Sequence, residues 1–188
     1  MPELPEVETI KRSLNKFIKG QIIRAVEIRV PKLFHGDRKQ IIGQKIMEIE
    51  RRAKMLVWHL SNDKYLLFHL KMTGQLLYDS DDHKQVGGGG HPDRVYLQRP
   101  PHQFTHIIFT LNKGHLYFND LRQFGWVKVV DEDGLKQEVA KYGPEIDWPG
   151  FTFGYFVKAL KRKAKTKIKT TLMDQSLIAG LGNIYADE

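Results

Sequence analysis

The first eight residues, MPELPEVE, place two prolines and three glutamates at the start of a basic chain. If Met1 is removed, which a small second residue favours, Pro2 presents a secondary amine. A terminal amine titrates close to neutral pH and is therefore partly uncharged and nucleophilic there. Glu3 lies beside it and could act as a general acid if burial helped it to hold a proton, with Glu6 one helical turn further on. The plainer interpretation is a helix start, because Pro5 and acidic residues suit a first turn.

Three further stretches contain candidate functional side chains. Lys54 lies in RRAKML, Met72 lies in HLKMTG, and Arg122 and Phe124 lie in FNDLRQFG. A lysine at a strand start is usually only solvated, and Met72 and Phe124 could be ordinary core residues. Both apolar residues, however, stand next to turn signals that contain glycine. A large apolar side chain at a loop tip is unexpected unless it is used.

Composition narrows the class of protein. The formal net charge is +8 with a pI near 9.5, which favours a polyanionic partner such as nucleic acid. The chain has no cysteine, which excludes disulfides and thiolate metal sites, and its eight histidines are scattered without ligand spacing. No apolar stretch is long enough to span a membrane, and no signal-peptide core is present. We therefore expect no metal, no membrane partner and a cytoplasmic location.

The elements that must position these residues follow from periodicity. Residues 4–18 are predicted to form a helix with Val7, Ile10, Leu14 and Phe17 on one face. Alternating residues then predict short strands, which are typical of an antiparallel sandwich or barrel. The alternation begins at about residue 21 and includes Val26, Ile28 and Val30. Further strands are expected near residues 45–50, 54–60, 64–70, 74–78, 104–111, 114–118 and 125–130.

The connecting segments have their own signals. Asn112, Lys113 and Gly114 predict a hairpin turn. The glycine-rich stretch 83–94 is predicted to be a flexible loop and not a nucleotide site. Residues 132–142 are expected to form a short helix, and 143–150 a linker. In the stretch 157–170, seven of fourteen residues are Lys or Arg and none is acidic, which favours phosphate contacts over a merely solvated helix face.

Five motifs, in order, resemble those of bacterial formamidopyrimidine-DNA glycosylases. They are PELPEVE at the start, RRAKML at 51–56, HLKMTG at 69–74, FNDLRQFG at 118–125 and LGNIYADE at 181–188. The resemblance implies an α+β fold, with an N-terminal antiparallel β-sandwich and flanking helices followed by the start of a helix–two-turn–helix DNA-binding domain. It implies a base-excision repair enzyme that removes 8-oxoguanine and formamidopyrimidines from damaged double-stranded DNA and then cleaves the strand as a lyase.

The resemblance also implies roles for individual catalytic residues. Pro2 would attack the deoxyribose C1′ to give a Schiff base, and Glu3 would be the general acid on the opening sugar ring. Lys54 would contact the lesion and its phosphate. Glu6 would be an additional acidic group in the same active site.

Other residues would bind the DNA around the lesion. The resemblance implies that Met72, Arg122 and Phe124 enter the duplex where the damaged nucleotide has been flipped out. Asn183 and Lys169 would hold phosphates, helped by a helix that begins near Asn183.

The chain also departs from the family pattern. The family ends in a four-cysteine zinc finger, and without cysteines this chain has neither that finger nor its zinc, so we expect no cofactor. We expect residues 1–142 to form the catalytic sandwich and 143–188 a partial DNA-binding domain, in a monomer. The uncapped ending favours a fragment over a naturally short protein. The alternatives are an endonuclease VIII-type glycosylase for oxidised pyrimidines, a DNA-binding fragment without activity, or a general basic RNA-binding or structural protein.

Overall fold

The computed structural model describes residues 2–90 and 98–188, which form two compact units. The first unit ends at Leu135 and the second is Lys136–Glu188. The boundary that the sequence predicts, after residue 142, lies within the second unit. Each unit has its own cluster of buried apolar side chains. Within the described ranges, no helix combines the length and apolar character needed to cross a bilayer.

The first unit consists of one long helix and two five-stranded sheets within the part of the chain described. Its elements are α1 (Leu4–Ile18), β1 (Ile23–Ile28), β2 (Phe34–His35), β3 (Ile46–Arg52), β4 (Met55–Leu60), β5 (Tyr65–His69), β6 (Gly74–Ser80), β7 (Gln85–Gly89), β8 (Thr105–Leu111), β9 (Gly114–Asp120) and β10 (Trp126–Val130). Short 3-10 helices occur at Pro31–Leu33 and Arg38–Gln40.

The two sheets form a sandwich. One has the strand order β1-β8-β9-β6-β7 and the other the order β2-β10-β5-β4-β3. Their inner faces share one core, in which the ring of Phe109 lies 5.7 Å from that of Phe68 in the opposite sheet. The α+β class and the sandwich are therefore as predicted. One pair departs from the antiparallel expectation, because β2, which the sequence did not reveal, runs parallel to β10.

Helix α1 covers the range that the sequence predicted. Val7, Ile10, Leu14 and Ile18 are buried in the sandwich core, whereas Phe17 is only partly buried against it. The apolar face therefore continues to Ile18 through the i, i+4 spacing from Leu14. Burial of this face fixes α1, and with it the chain start, against the sheets.

The glycine-rich stretch contains a strand that we did not predict. Residues Gln85–Gly89 form β7, which pairs with β6 along its length. A Cβ on Gly87 would lie 2.0 Å from the Leu76 carbonyl oxygen, and a Cβ on Gly88 would lie 3.2 Å from Cγ1 of Ile10. The glycines therefore let a strand pack closely against both β6 and α1. The rest of the predicted loop, from residue 91, lies outside the described residues.

The predicted strands and turn are otherwise present with small shifts of their ends. Asn112 and Lys113 form the two-residue connection between β8 and β9, as expected. The strand predicted from about residue 21 is β1, which begins at Ile23, where it pairs with the end of β8 at Leu111, and ends at Ile28. The predicted helix near 132–142 is α2 (Glu132–Val139).

The second unit is helical. It contains α3 (Phe153–Arg162) and α4 (Ile168–Leu172), and Thr152 caps α3 by accepting a hydrogen bond from the Tyr155 amide. Ala159, Leu177 and Ile178 form its buried core. The basic stretch 157–170 therefore spans the end of α3, the connection and the start of α4.

Candidate active site

The start of α1 is buried although it is the start of the chain. Pro2 is buried, and Glu3, the N-cap residue of α1, has no exposed surface. The Glu6 carboxylate accepts a 2.9 Å hydrogen bond from the Glu3 amide, as in a capping box. The helix-start interpretation of these acids is therefore correct, and it holds Glu3 beside Pro2 at a buried position.

Lys54 lies on the two-residue turn between β3 and β4, next to that helix start. Its side chain is buried. Burial lowers the pKa of Lys54, while the charges of Glu3 and Glu6 act to raise it and that of Lys71 to lower it. Lys54 is therefore close enough to Glu3 and Glu6 for their charges to interact, and Lys54 and Glu3 are both buried.

The turn that carries Lys54 has a strained backbone. Ala53 is buried and adopts a φ of 53°, a left-handed conformation that costs a residue with a Cβ about 1–2 kcal/mol. Arg51 supports the turn by donating to the Ala53 carbonyl at 3.0 Å and to Glu8 of α1 at 3.1 Å. Strain that the surroundings enforce is typical of functional sites.

The three residues predicted to enter DNA lie together, although 50 positions separate the first from the second. Nη1 of Arg122 lies 3.1 Å from Sδ of Met72, and the Arg122 guanidinium carbon lies 4.8 Å from the centre of the Phe124 ring. Met72 is 41% exposed and Phe124 is 52% exposed. The interpretation of these two residues as core is therefore wrong, and the three side chains form one exposed group at the loop tips.

The two loops that carry this group also contain residues in the left-handed region. Lys71 precedes Met72 with a φ of 52°, and Gln123 lies between Arg122 and Phe124 with a φ of 54°. Together with Ala53, three of the five such non-glycine residues described are direct neighbours of predicted site residues. Each one fixes the direction in which the neighbouring side chain leaves the backbone.

Asn183 and Lys169 lie in the second unit. Asn183 is exposed, and Nζ of Lys169 lies 2.5 Å from a carboxylate oxygen of Asp187. The helix that we expected to begin near Asn183 is absent from residues 183–188, which form turns: the Asp187 amide donates to the Ile184 carbonyl, and a single bond of α-helical spacing runs from the Ala186 amide to the Gly182 carbonyl. One such bond fixes too few residues to establish a helix.

Among residues 2–90 and 98–188, no three His, Asp or Glu side chains converge as metal ligands would. The chain has no cysteine, so its residues do not fit a thiolate zinc site.

Sequence reasoning overlooked two residues that support these loops, the buried Asp120 and Arg51, whose side chain is largely covered. Both lie inside the motifs RRAKML and FNDLRQFG, which is the only signal that could have pointed to them. Their partners, Glu8 and Thr73, are distant in the sequence, so their contacts exist only in the folded chain.

Comparison with known proteins identifies the domains. The model of the formamidopyrimidine-DNA glycosylase N-terminal domain matches residues 1–127, and that of the formamidopyrimidine-DNA glycosylase H2TH domain matches residues 142–188. The fold and the two domains thus define a DNA glycosylase architecture.

Curated relatives are similar in sequence to this chain along its whole length. Formamidopyrimidine-DNA glycosylases of Heliobacterium modesticaldum and Herpetosiphon aurantiacus are each 39% identical to it over 100% of its length. A solved structure of wild-type Lactococcus lactis Fpg (MutM) with DNA containing N7-benzyl-Fapy-dG superposes with a TM-score of 0.84 at 34% identity, covering 100% of this chain and 65% of that one. The chain belongs to the formamidopyrimidine-DNA glycosylase family. It spans 66% and 65% of the two curated relatives.

Proposed function

We propose that this chain carries the catalytic half of a base-excision repair glycosylase that removes oxidised purines from DNA and cleaves the strand through a Schiff base at Pro2. The observation that carries the proposal is the burial of Pro2 and Glu3 at the start of α1, with the desolvated Lys54 beside them. Family membership supports the same chemistry, and the Lactococcus lactis relative binds DNA that contains a formamidopyrimidine lesion.

The first step uses Pro2 after removal of Met1. The lone pair of its nitrogen forms a bond to C1′ of the damaged nucleotide, and the glycosidic bond from C1′ to the base breaks. A secondary amine gains nucleophilicity in a dry site, because no water shell must be removed before it attacks. The base leaves with the bonding electron pair and takes up the proton that the Pro2 nitrogen loses after it has bonded to C1′.

Glu3 supplies the next proton. Once the Pro2 nitrogen has lost its proton, its lone pair forms the C=N bond of the iminium as the C1′–O4′ bond breaks; O4′ leaves with the electron pair of that bond and takes a proton from the Glu3 carboxylic acid. The Glu3 side chain has no exposed surface, so this proton transfer would take place away from bulk water. Lys54 lies among the same charges, and a lysine with a lowered pKa can exchange a proton closer to neutral pH.

Strand cleavage follows from the iminium. It acidifies the C2′ proton, whose loss expels the 3′ phosphate, and a second elimination expels the 5′ phosphate. No metal or oxidant is needed for this balance of electrons.

The exposed group of Met72, Arg122 and Phe124 would fill the space that the flipped nucleotide leaves. Extrusion costs a few kcal/mol, which a filling side chain offsets. Arg122 can donate hydrogen bonds to the orphaned cytosine, and Phe124 can act as a wedge between bases. Asn183, Lys169 and the basic stretch would hold phosphates of double-stranded DNA. We expect a cytoplasmic monomer associated with the nucleoid.

Borohydride trapping tests the proposal, after mass spectrometry has confirmed that Met1 is absent. With a duplex that contains 8-oxoguanine opposite cytosine, we expect a covalent adduct whose peptide mass maps to Pro2. A Pro2→Gly variant that traps equally well would contradict the nucleophile assignment. Glu3→Gln should lower trapping by about 10²-fold or more. Glu27→Gln, at an exposed glutamate of β1, is the matched control and should have no effect.

The alternatives give distinct results in the same assay. Preferential trapping on an oxidised pyrimidine would indicate the endonuclease VIII type. Salt-sensitive duplex binding without any adduct would indicate a DNA-binding fragment.

A further inference from the structure

We propose that Asp120 is a positioning residue that holds the Met72 loop and the Arg122–Phe124 loop in one arrangement for insertion into DNA. The inference rests on the proposed function. It concerns a buried carboxylate at the end of β9 that touches none of the reacting atoms assigned above.

One carboxylate connects the two loops. Oδ1 of Asp120 accepts hydrogen bonds from the hydroxyl of Thr73 and, at 3.2 Å, from the Arg122 amide, while Oδ2 accepts from the Gly125 amide at 2.7 Å. The Thr73 hydroxyl oxygen in turn accepts from the Arg122 amide at 3.0 Å. These donors flank all three inserted residues, because Thr73 follows Met72 and Gly125 follows Phe124.

The backbone of Asp120 is held independently of its side chain. Its amide donates to the Phe104 carbonyl at 3.0 Å, and its carbonyl accepts from Nε2 of His106 at 2.7 Å. Across the sheet it lies opposite Gly74, the first residue after Thr73. The Asp120 backbone is therefore fixed in the sheet, and its carboxylate holds both loops at a defined position relative to that sheet.

This set of donors requires a side chain with two accepting oxygens. Asp120 has no exposed surface, and its two oxygens meet three donors from two sides. An asparagine would keep one oxygen and turn an NH2 group toward either the Gly125 amide or the Thr73 and Arg122 donors. The neighbouring space is closed, since a Cβ on Gly125 would lie 3.0 Å from Oδ2 and 2.8 Å from Cζ of Phe118. This close packing opposes a shift of the loop that would avoid the mismatch.

A merely structural carboxylate would be an unfavourable choice here. Burying a charge is costly, and apolar side chains would join two loops at lower cost. A carboxylate with several directed bonds instead fixes orientation, which the insertion of three side chains into one base-pair gap requires.

The test compares Asp120→Asn with Asp79→Asn, a second buried carboxylate on the adjacent strand β6 that pairs with Arg99 and contacts neither loop. Two trapping substrates are used, the 8-oxoguanine:cytosine duplex and a single-stranded oligonucleotide with a preformed abasic site, which needs no insertion. Amide hydrogen exchange is followed in the DNA-free chain.

For Asp120→Asn we expect duplex trapping to fall about tenfold or more, while single-strand trapping stays within about twofold. The Arg122 and Gly125 amides should exchange about tenfold faster than in the parent chain. Asp79→Asn should leave both trapping rates and these two amides unchanged. If Asp120→Asn does not fold, Thr73→Val removes one donor and should shift the same readouts in the same direction.

Unchanged duplex trapping, or an equal fall on both substrates, would overturn the inference. A parent chain that traps neither substrate would overturn the proposed function, and unchanged exchange of the two amides would then overturn the loop connection separately.

Discussion

The Nε atom of Arg51 lies 3.1 Å from the Glu8 carboxylate, which joins the turn that carries Lys54 to the helix that carries Glu3. The Arg51 side chain is only 8% exposed. It also donates to the Ala53 carbonyl, so one guanidinium holds both sides of the candidate active site. The relative positions of Glu3 and Lys54 depend on this contact.

Arg51→Met should therefore lower the free energy of unfolding by about 1.5–3 kcal/mol, the range for hydrogen bonds to charged groups. Arg29→Met is the matched control, since Arg29 pairs with Glu27 at 2.7 Å but both side chains are exposed. That control should cost less than about 1 kcal/mol. Urea denaturation measures both, and equal losses would contradict a special role for the Arg51 contact.

Glu8 gives the fold a defined pH dependence. Burial alone would raise its pKa, but hydrogen bonds from Lys11, Arg12 and Arg51 outweigh burial and lower the pKa from 4.5 to about 2. The unfolded chain therefore binds this proton more readily than the folded chain. The stabilisation is fully present above pH 4.5 and is lost as the pH falls toward 2.

The check is the difference in free energy of unfolding between the parent chain and Glu8→Gln, measured in urea from pH 6 down to pH 3. We expect a constant difference in the upper part of this range and a shrinking one below pH 4.5. A difference that does not change with pH would show that the Glu8 carboxylate is not held as described.

Gly87 should be intolerant of any side chain. It has a φ of 133°, and a Cβ would lie 2.0 Å from the Leu76 carbonyl oxygen. Gly87→Ala should cost about 3 kcal/mol or more, from backbone strain and overlap together. Gly43 has a φ of 82° with nothing within 4 Å of a Cβ, so Gly43→Ala should cost only the strain, about 1–2 kcal/mol. Similar losses in urea denaturation would contradict the close packing of β7 on β6.

Met72→Ala tests the proposed insertion of Met72 into DNA without a large effect on the stability of the fold. Because Met72 is exposed, the free energy of unfolding should change by less than about 0.5 kcal/mol. Trapping on the 8-oxoguanine:cytosine duplex should fall about tenfold, because the gap left by the flipped nucleotide is no longer filled. Met47→Ala, at a 48% exposed methionine of β3, is the control. Equal trapping by the two variants would exclude an inserted role for Met72.

Local pattern predicted much of the fold. The period of α1, the alternation in most strands and the β8–β9 turn depend on neighbouring residues, and all are present where we expected them. Strand β7 was missed because its glycines have no strand propensity of their own. They form a strand because the backbone of β6 pairs with them, and glycine is required because β6 and α1 leave no room for a Cβ.

The motifs in the amino-acid sequence were enough to name the candidate residues, since each motif is a run of adjacent positions. The sequence did not predict the surroundings of these candidate residues in the folded chain. Burial of Glu3, the lowered pKa of Lys54 and the contact of Met72 with Arg122 arise between segments far apart in the chain. Desolvation and hydrogen-bond geometry depend on which atoms surround a group, and folding alone brings those atoms together.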